Sequence, residues 1–128
     1  MNTLIIGVLP TSGEEKKVYE TIEKTFSKKG TTHSPLQTAA FTGTAQERYE
    51  RAINMVKEAD LLIVEASSPS TGMGMELMLA ITLKKDVVVI AKKGNKVSGL
   101  IRGCPVIKAI LEYESQGHLE ELLLNLEI

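Results

Sequence analysis

Short apolar runs at residues 3–9, 60–66 and 86–91, with a weaker one at 106–113, are separated by stretches that follow helical spacing. Apolar strands that alternate with helices pair in parallel and carry helices on both faces. The expected fold is therefore α/β, a doubly wound five-stranded parallel sheet of flavodoxin-like or Rossmann-like order. No repeat, linker or low-complexity tract interrupts the pattern, so residues 1–128 read as a single domain. That length supports a three-layer core without disulfides or a structural metal.

The helical stretches differ in what they bury. Residues 13–29 place Val18, Ile22 and Phe26 on one face and stop at Gly30, and residues 44–58 repeat the pattern with Ala45, Tyr49, Ala52, Ile53 and Val56. A last helix is expected over 118–126 after the turn Ser115-Gln116-Gly117, while residues 31–40, with His33, Pro35 and Leu36, read as a short second strand and a loop. In residues 74–84, Met75, Leu77, Met78, Leu79, Ala80, Ile81 and Leu83 cover nearly the whole circumference. A helix apolar all round needs cover on two sides. The sheet supplies one; the other falls to the chain's own helices or to a second copy, and a homodimer is expected.

Fifteen basic residues balance sixteen acidic ones, without a basic stripe interleaved with aromatics. A small-molecule ligand is expected rather than nucleic acid. No apolar run reaches membrane-spanning length, and no basic leader precedes Leu4-Ile5-Ile6, so no membrane partner is expected and the location reads as cytoplasmic. Cys104 is the lone cysteine and reads as a small buried hydrophobe, and His33 and His118 have no partner at metal-ligand spacing. Neither metal nor cofactor is expected.

The chemistry concentrates after the apolar run at 60–66, in Ser67-Ser68-Pro69-Ser70-Thr71-Gly72-Met73-Gly74-Met75-Glu76-Leu77. Small residues before a helix admit a ligand to the backbone, and Ser70, Gly72 and Gly74 could offer hydroxyl and N–H donors to a phosphate or sugar. Glu76 is expected in the first turn, where the helix dipole favours a carboxylate able to act as a nucleophile. The same residues would also serve a simple capped turn. Pro10-Thr11-Ser12-Gly13-Glu14 follows the first run and would meet this loop at the switch point of the sheet, with Thr11 and Ser12 as ligand donors or as helix caps. It is neither a Walker A loop nor a dinucleotide fingerprint. Ser98 and Arg102 form a third element that could hold phosphate or remain solvated surface.

The run from Ala59 to Leu77 resembles the hallmark of the nucleoside 2-deoxyribosyltransferase superfamily, and within it the 2-deoxynucleoside 5-monophosphate N-glycosidases. The likeness extends to Ser98-Gly99-Leu100-Ile101-Arg102-Gly103 and, more weakly, to the first strand and Tyr19-Glu20. It implies hydrolysis of the N-glycosidic bond of a nucleoside 5-monophosphate, with Glu76 attacking C1 of the sugar and water resolving the glycosyl-enzyme. Ser70 would then contact the 5-phosphate, Ser98 would reach it from a neighbouring subunit, and Gly7 with the following loop would lie on the phosphate side.

Three positions depart from the family pattern. The aspartate that helps protonate the leaving base is replaced by Ala52, a tyrosine by Leu4 and an arginine by Pro10. Loss of a positioned acid costs about 10² to 10⁴-fold in rate, so Tyr49, or Arg48 through its charge, is the candidate substitute. The alternatives are a nucleotide-binding or regulatory protein of impaired activity on the same scaffold, and a transferase that passes the sugar to another base.

Overall fold

The computed structural model describes residues 1–127, so the last residue of the expected domain, Ile128, lies outside the described residues. The elements run β1 (Asn2–Ile6), α1 (Gly13–Phe26), β2 (Thr31–His33), α2 (Pro35–Ala40), α3 (Ala45–Glu58), β3 (Leu61–Glu65), α4 (Thr71–Thr82), β4 (Asp86–Lys92), α5 (Gly99–Arg102), β5 (Ala109–Tyr113) and α6 (Gln116–Leu124). The strands form one five-stranded sheet in the order β2-β1-β3-β4-β5, every pair parallel. This is the flavodoxin-like order, whose direction of winding reverses between β1 and β3.

Alternation along the strands builds two cores. Leu4, Ile6, Leu62, Val64, Val87 and Val89 face α3 and α4, while Ile5, Leu61, Ile63, Val88 and Ile90 face α1 and α6. Both sets are buried, which is why the central strands read as unbroken apolar runs. Each such side chain contributes about 1.5–3 kcal/mol on burial.

Several boundaries differ from the expected ones for local reasons. β1 ends at Ile6 rather than at residue 9, because the chain leaves the sheet at Gly7 and the Val8 carbonyl accepts a bond from the Tyr19 hydroxyl at 2.6 Å. Residues 31–40 hold a helix instead of a loop after β2. Ser34 and Gln37 cap its start reciprocally, and Pro35 occupies its first turn. The first helix closes in a 3-10 turn at Ser27–Lys29, the last strand starts only at Ala109, and the last helix runs from Gln116 to Leu124.

The largest difference is at α4, which begins at Thr71 rather than at residue 74. Ser70 is its N-cap, accepting from the Met73 N–H at 3.4 Å, so the glycines at 72 and 74 are helical. Its end is a Schellman closure: the Lys84 and Lys85 N–H groups donate to Ile81 and Ala80, with Lys84 at φ 59°. Glu76 is consequently the sixth helical residue, in the second turn and beyond the strongest part of the dipole.

Candidate active site

Three depressions open around the strand ends. The first, about 110 Å³, lies between β1, α2, α3 and α4, and its walls include Gly7, Leu4, Phe41, Arg48, Arg51, Ala52 and Glu76. The second, about 230 Å³, lies on the α1 side and includes Ser12, Glu65, Ser67, Lys92 and Tyr113. The third, about 580 Å³, is an apolar cleft between α4 and the α5 region, with Ser70, Gly74 and Ser98 at its edge.

Glu76 is the carboxylate that lines the first crevice. Its carboxyl is half-buried among apolar walls, and desolvation pushes its pKa up to about 7 against the opposing pull of the Arg51 charge. This reverses the expected dipole-favoured ionisation: burial disfavours the charge, and from the second turn the helix dipole does little to offset it. Near neutral pH the group is divided between acid and carboxylate, and the carboxylate is poorly solvated and hence reactive.

Arg51, which sequence spacing did not single out, faces this carboxylate from α3. Its guanidinium donates to Thr38 Oγ1 at 3.1 Å and to His33 Nε2, and it stacks 4.8 Å from the Phe41 ring centre. Burial and the adjacent guanidinium hold the His33 pKa below its usual value, which keeps the imidazole neutral and able to accept. These partners come from β2, from α2 and from the residue that ends α2, a stretch that reads in sequence as a short strand and a loop. The reciprocal cap at Ser34-Pro35-Leu36-Gln37 is the signal that could have revealed it.

Gly7 is required by close packing. A Cβ there would sit 2.5 Å from the Tyr19 hydroxyl and 3.2 Å from the Glu65 carbonyl oxygen. Beneath it, the buried Glu65 carboxylate accepts from the Ser67 N–H at 2.6 Å and from the Tyr113 hydroxyl, tying the β3 loop to β5. Desolvation raises the pKa of both Tyr19 and Tyr113, so both phenols stay protonated donors.

Other expected site residues are distributed differently. Thr11 and Ser12 donate to the Glu15 carboxylate while Ser12 caps α1, so both hydroxyls are engaged in the helix start. Ser98 caps α5 by accepting from Leu100. Arg102, expected either to hold phosphate or to remain at the surface, pairs with Glu112 on β5 at 3.1 Å. Gly72 and Gly74 lie on exposed helix surface with open space where a side chain would be. Tyr49 is 55% exposed and does not wall the first crevice, whereas Arg48 does. Three residues along a helix carry Tyr49 about 60° away from Ala52, enough to turn it outward. Ala52 and Leu4 both line the crevice, leaving apolar surface at two positions where the family resemblance implies polar groups. Cys104, expected to be buried, is only half-buried at the wall of the apolar cleft, because residues 103–108 run along the surface.

No protein-family model matches the chain. It is 30% identical over 83 residues to a Methanosarcina mazei protein that bears the provisional name 2′-deoxynucleoside 5′-phosphate N-hydrolase 1, a match covering 64% of this chain and 52% of the relative. It is 27% identical to the human 5-hydroxymethyl-dUMP N-hydrolase across 91% of this chain and 74% of that protein. The chain thus spans about half the length of the archaeal relative it matches. Among solved structures, the Clostridium botulinum CMP N-glycosidase superposes with a TM-score of 0.78 at 19% identity, covering 96% of this chain and 98% of that one. A 2-deoxyribosyltransferase from Bacillus psychrosaccharolyticus superposes at 0.74 with 18% identity, covering 100% and 93%. The fold is that of the nucleoside 2-deoxyribosyltransferase-like proteins. In sequence the chain is similar to the deoxynucleoside 5′-phosphate N-hydrolases.

Proposed function

We propose that the chain hydrolyses the N-glycosidic bond of a nucleoside or deoxynucleoside 5′-monophosphate, releasing free base and sugar 5-phosphate. The observation that carries this reading is a half-buried carboxylate, Glu76, walling a small, largely apolar crevice beside the switch point of the sheet. The names of the relatives and the structural neighbours support the same chemistry. In this reading Glu76 attacks C1′ and the base departs into the crevice. Water then frees the sugar phosphate. Ser70, Gly72 and Gly74 hold the sugar-phosphate end, where the open surface above the two α4 glycines admits it. The chain works as one domain in the cytoplasm; no described helix is long and apolar enough to cross a membrane.

The working unit is a homodimer. The apolar cleft exposes Met78 at 60% and Leu100 at 89%, and Met75 on α4 is exposed at 58%. A second copy is the natural cover for such a surface, and it would bring the partner subunit's Ser98 toward the phosphate. Sedimentation should give twice the chain mass, and Leu100→Glu should return the monomer. A monomeric wild-type chain would remove this part of the reading.

The deciding experiment incubates the protein with a panel of ribo- and deoxyribonucleoside monophosphates and follows free base by chromatography, with Glu76→Gln alongside. Release that vanishes in the variant supports the glycosidase. Ala52 in the crevice wall favours one second reading, a nucleotide-binding protein without turnover. Binding by thermal shift without release from any nucleotide would select it. Incorporation of an added free base would identify a transferase.

A further inference from the structure

The crevice holds two guanidinium groups, Arg48 and Arg51, that form no ion pair among the described residues. Arg51 is also immobilised: Thr38 and His33 hold its guanidinium, and Phe41 supports the plane. A fixed, partly desolvated guanidinium without a counter-ion is prepared for an anion that arrives during function. The position of that anion follows from the rest of the site. Ser70 edges the apolar cleft on one side of α4, whereas Arg51 and Glu76 share the crevice on the other. With phosphate at the serine side and C1′ at Glu76, the group reaching Arg51 is the base.

We infer that Arg51 is the catalytic residue that takes up the charge of the departing base, in place of the acid absent at Ala52. It donates to a carbonyl oxygen next to the glycosidic nitrogen. This rests on the hydrolase reading given above. As the Glu76 oxygen forms its bond to C1′, the C1′–N bond breaks and its electron pair passes to the base. There it delocalises onto the carbonyl oxygen that the guanidinium holds. Water then attacks C1′, its hydroxyl stays on the sugar, its proton neutralises the base, and the Glu76 carboxylate is regenerated. The preferred substrate has a single-ring base whose glycosidic nitrogen is flanked by a carbonyl.

The test compares wild type, Arg51→Ala and Arg51→Lys on deoxyuridine monophosphates bearing hydrogen, fluorine or a nitro group at C5, in order of increasingly stable base anion. Arg51→Ala should lose about 10² to 10³-fold in kcat/KM on the unsubstituted base and only a few-fold on the nitro base. Arg51→Lys should fall between, because it keeps charge without the planar fork. Methylguanidinium should restore part of the alanine variant's rate, and circular dichroism should show all three folded. An equal loss on all three bases would overturn the inference, placing Arg51 on the phosphate or in a structural role, while Glu76-dependent release by the wild type would leave the hydrolase reading standing. Absence of release by the wild type from every base would remove both.

Discussion

Replacing Glu76 by Gln should make the protein more stable, and by an amount that grows with pH. The Glu76 carboxyl titrates at about 7 instead of 4.5, chiefly because burial disfavours its charge. Between those values the folded chain keeps a proton that the unfolded chain has released, so stability falls as pH rises through this window. It is fully present below 4.5 and lost above 7. At 1.36 kcal/mol per pH unit of the gap, ionised Glu76 costs the fold about 3 kcal/mol at pH 8 and almost nothing at pH 4. Gln has nearly the same shape and no proton to lose, and every other titrating group is common to both chains and cancels in the difference. Urea unfolding of both proteins at pH 4 and pH 8 should therefore show the variant gaining about 3 kcal/mol over the wild type between the two. In thermal scans this corresponds to roughly 10 °C for a chain of this size. Parallel pH dependences would refute the reasoning, since they would mean that Glu76 is as well solvated in the fold as out of it.

The same titration should appear in function: kcat/KM for base release should rise with pH through a limb near 7, and Arg51→Ala should move that limb upward, because the guanidinium is what opposes the effect of burial on Glu76. Gly7→Ala should destabilise the fold by about 1–3 kcal/mol in denaturant titrations, since its Cβ would lie 2.5 Å from the Tyr19 hydroxyl. Adding Tyr19→Phe should recover part of that loss. Tyr113→Phe removes a donor to the buried Glu65 carboxylate and should lower stability by about 1.5–3 kcal/mol, read at neutral pH by chemical denaturation.

The sheet was legible because hydrophobic patterning is local information. Uninterrupted runs such as Leu61-Leu62-Ile63-Val64 require burial on both faces, and the helical spacing between them requires crossovers, which together leave few topologies. The α4 start was misjudged because Thr71-Gly72-Met73-Gly74 has weak helix propensity; the Ser70 cap and the packing of Met73 and Leu77 beneath it override that preference. That three-residue difference moved Glu76 out of the first turn, while the direction of its pKa shift is set by burial in the crevice, which the sequence does not display.

What the sequence determined by itself was the parallel α/β architecture and the place of Glu76 on the helix that follows the third strand, since both depend on residue type and spacing along one segment. The tertiary structure alone decided which side chains share a space with that carboxylate. Tyr49 and Arg51 are neighbours on one helix, yet the closing of β2 and α2 over α3 draws Arg51 against Thr38, His33 and Phe41 and leaves Tyr49 in solvent. Helical periodicity fixes the angle between two side chains. The direction in which either of them points is set by what packs across from the helix, and here that is chain ten to eighteen residues away.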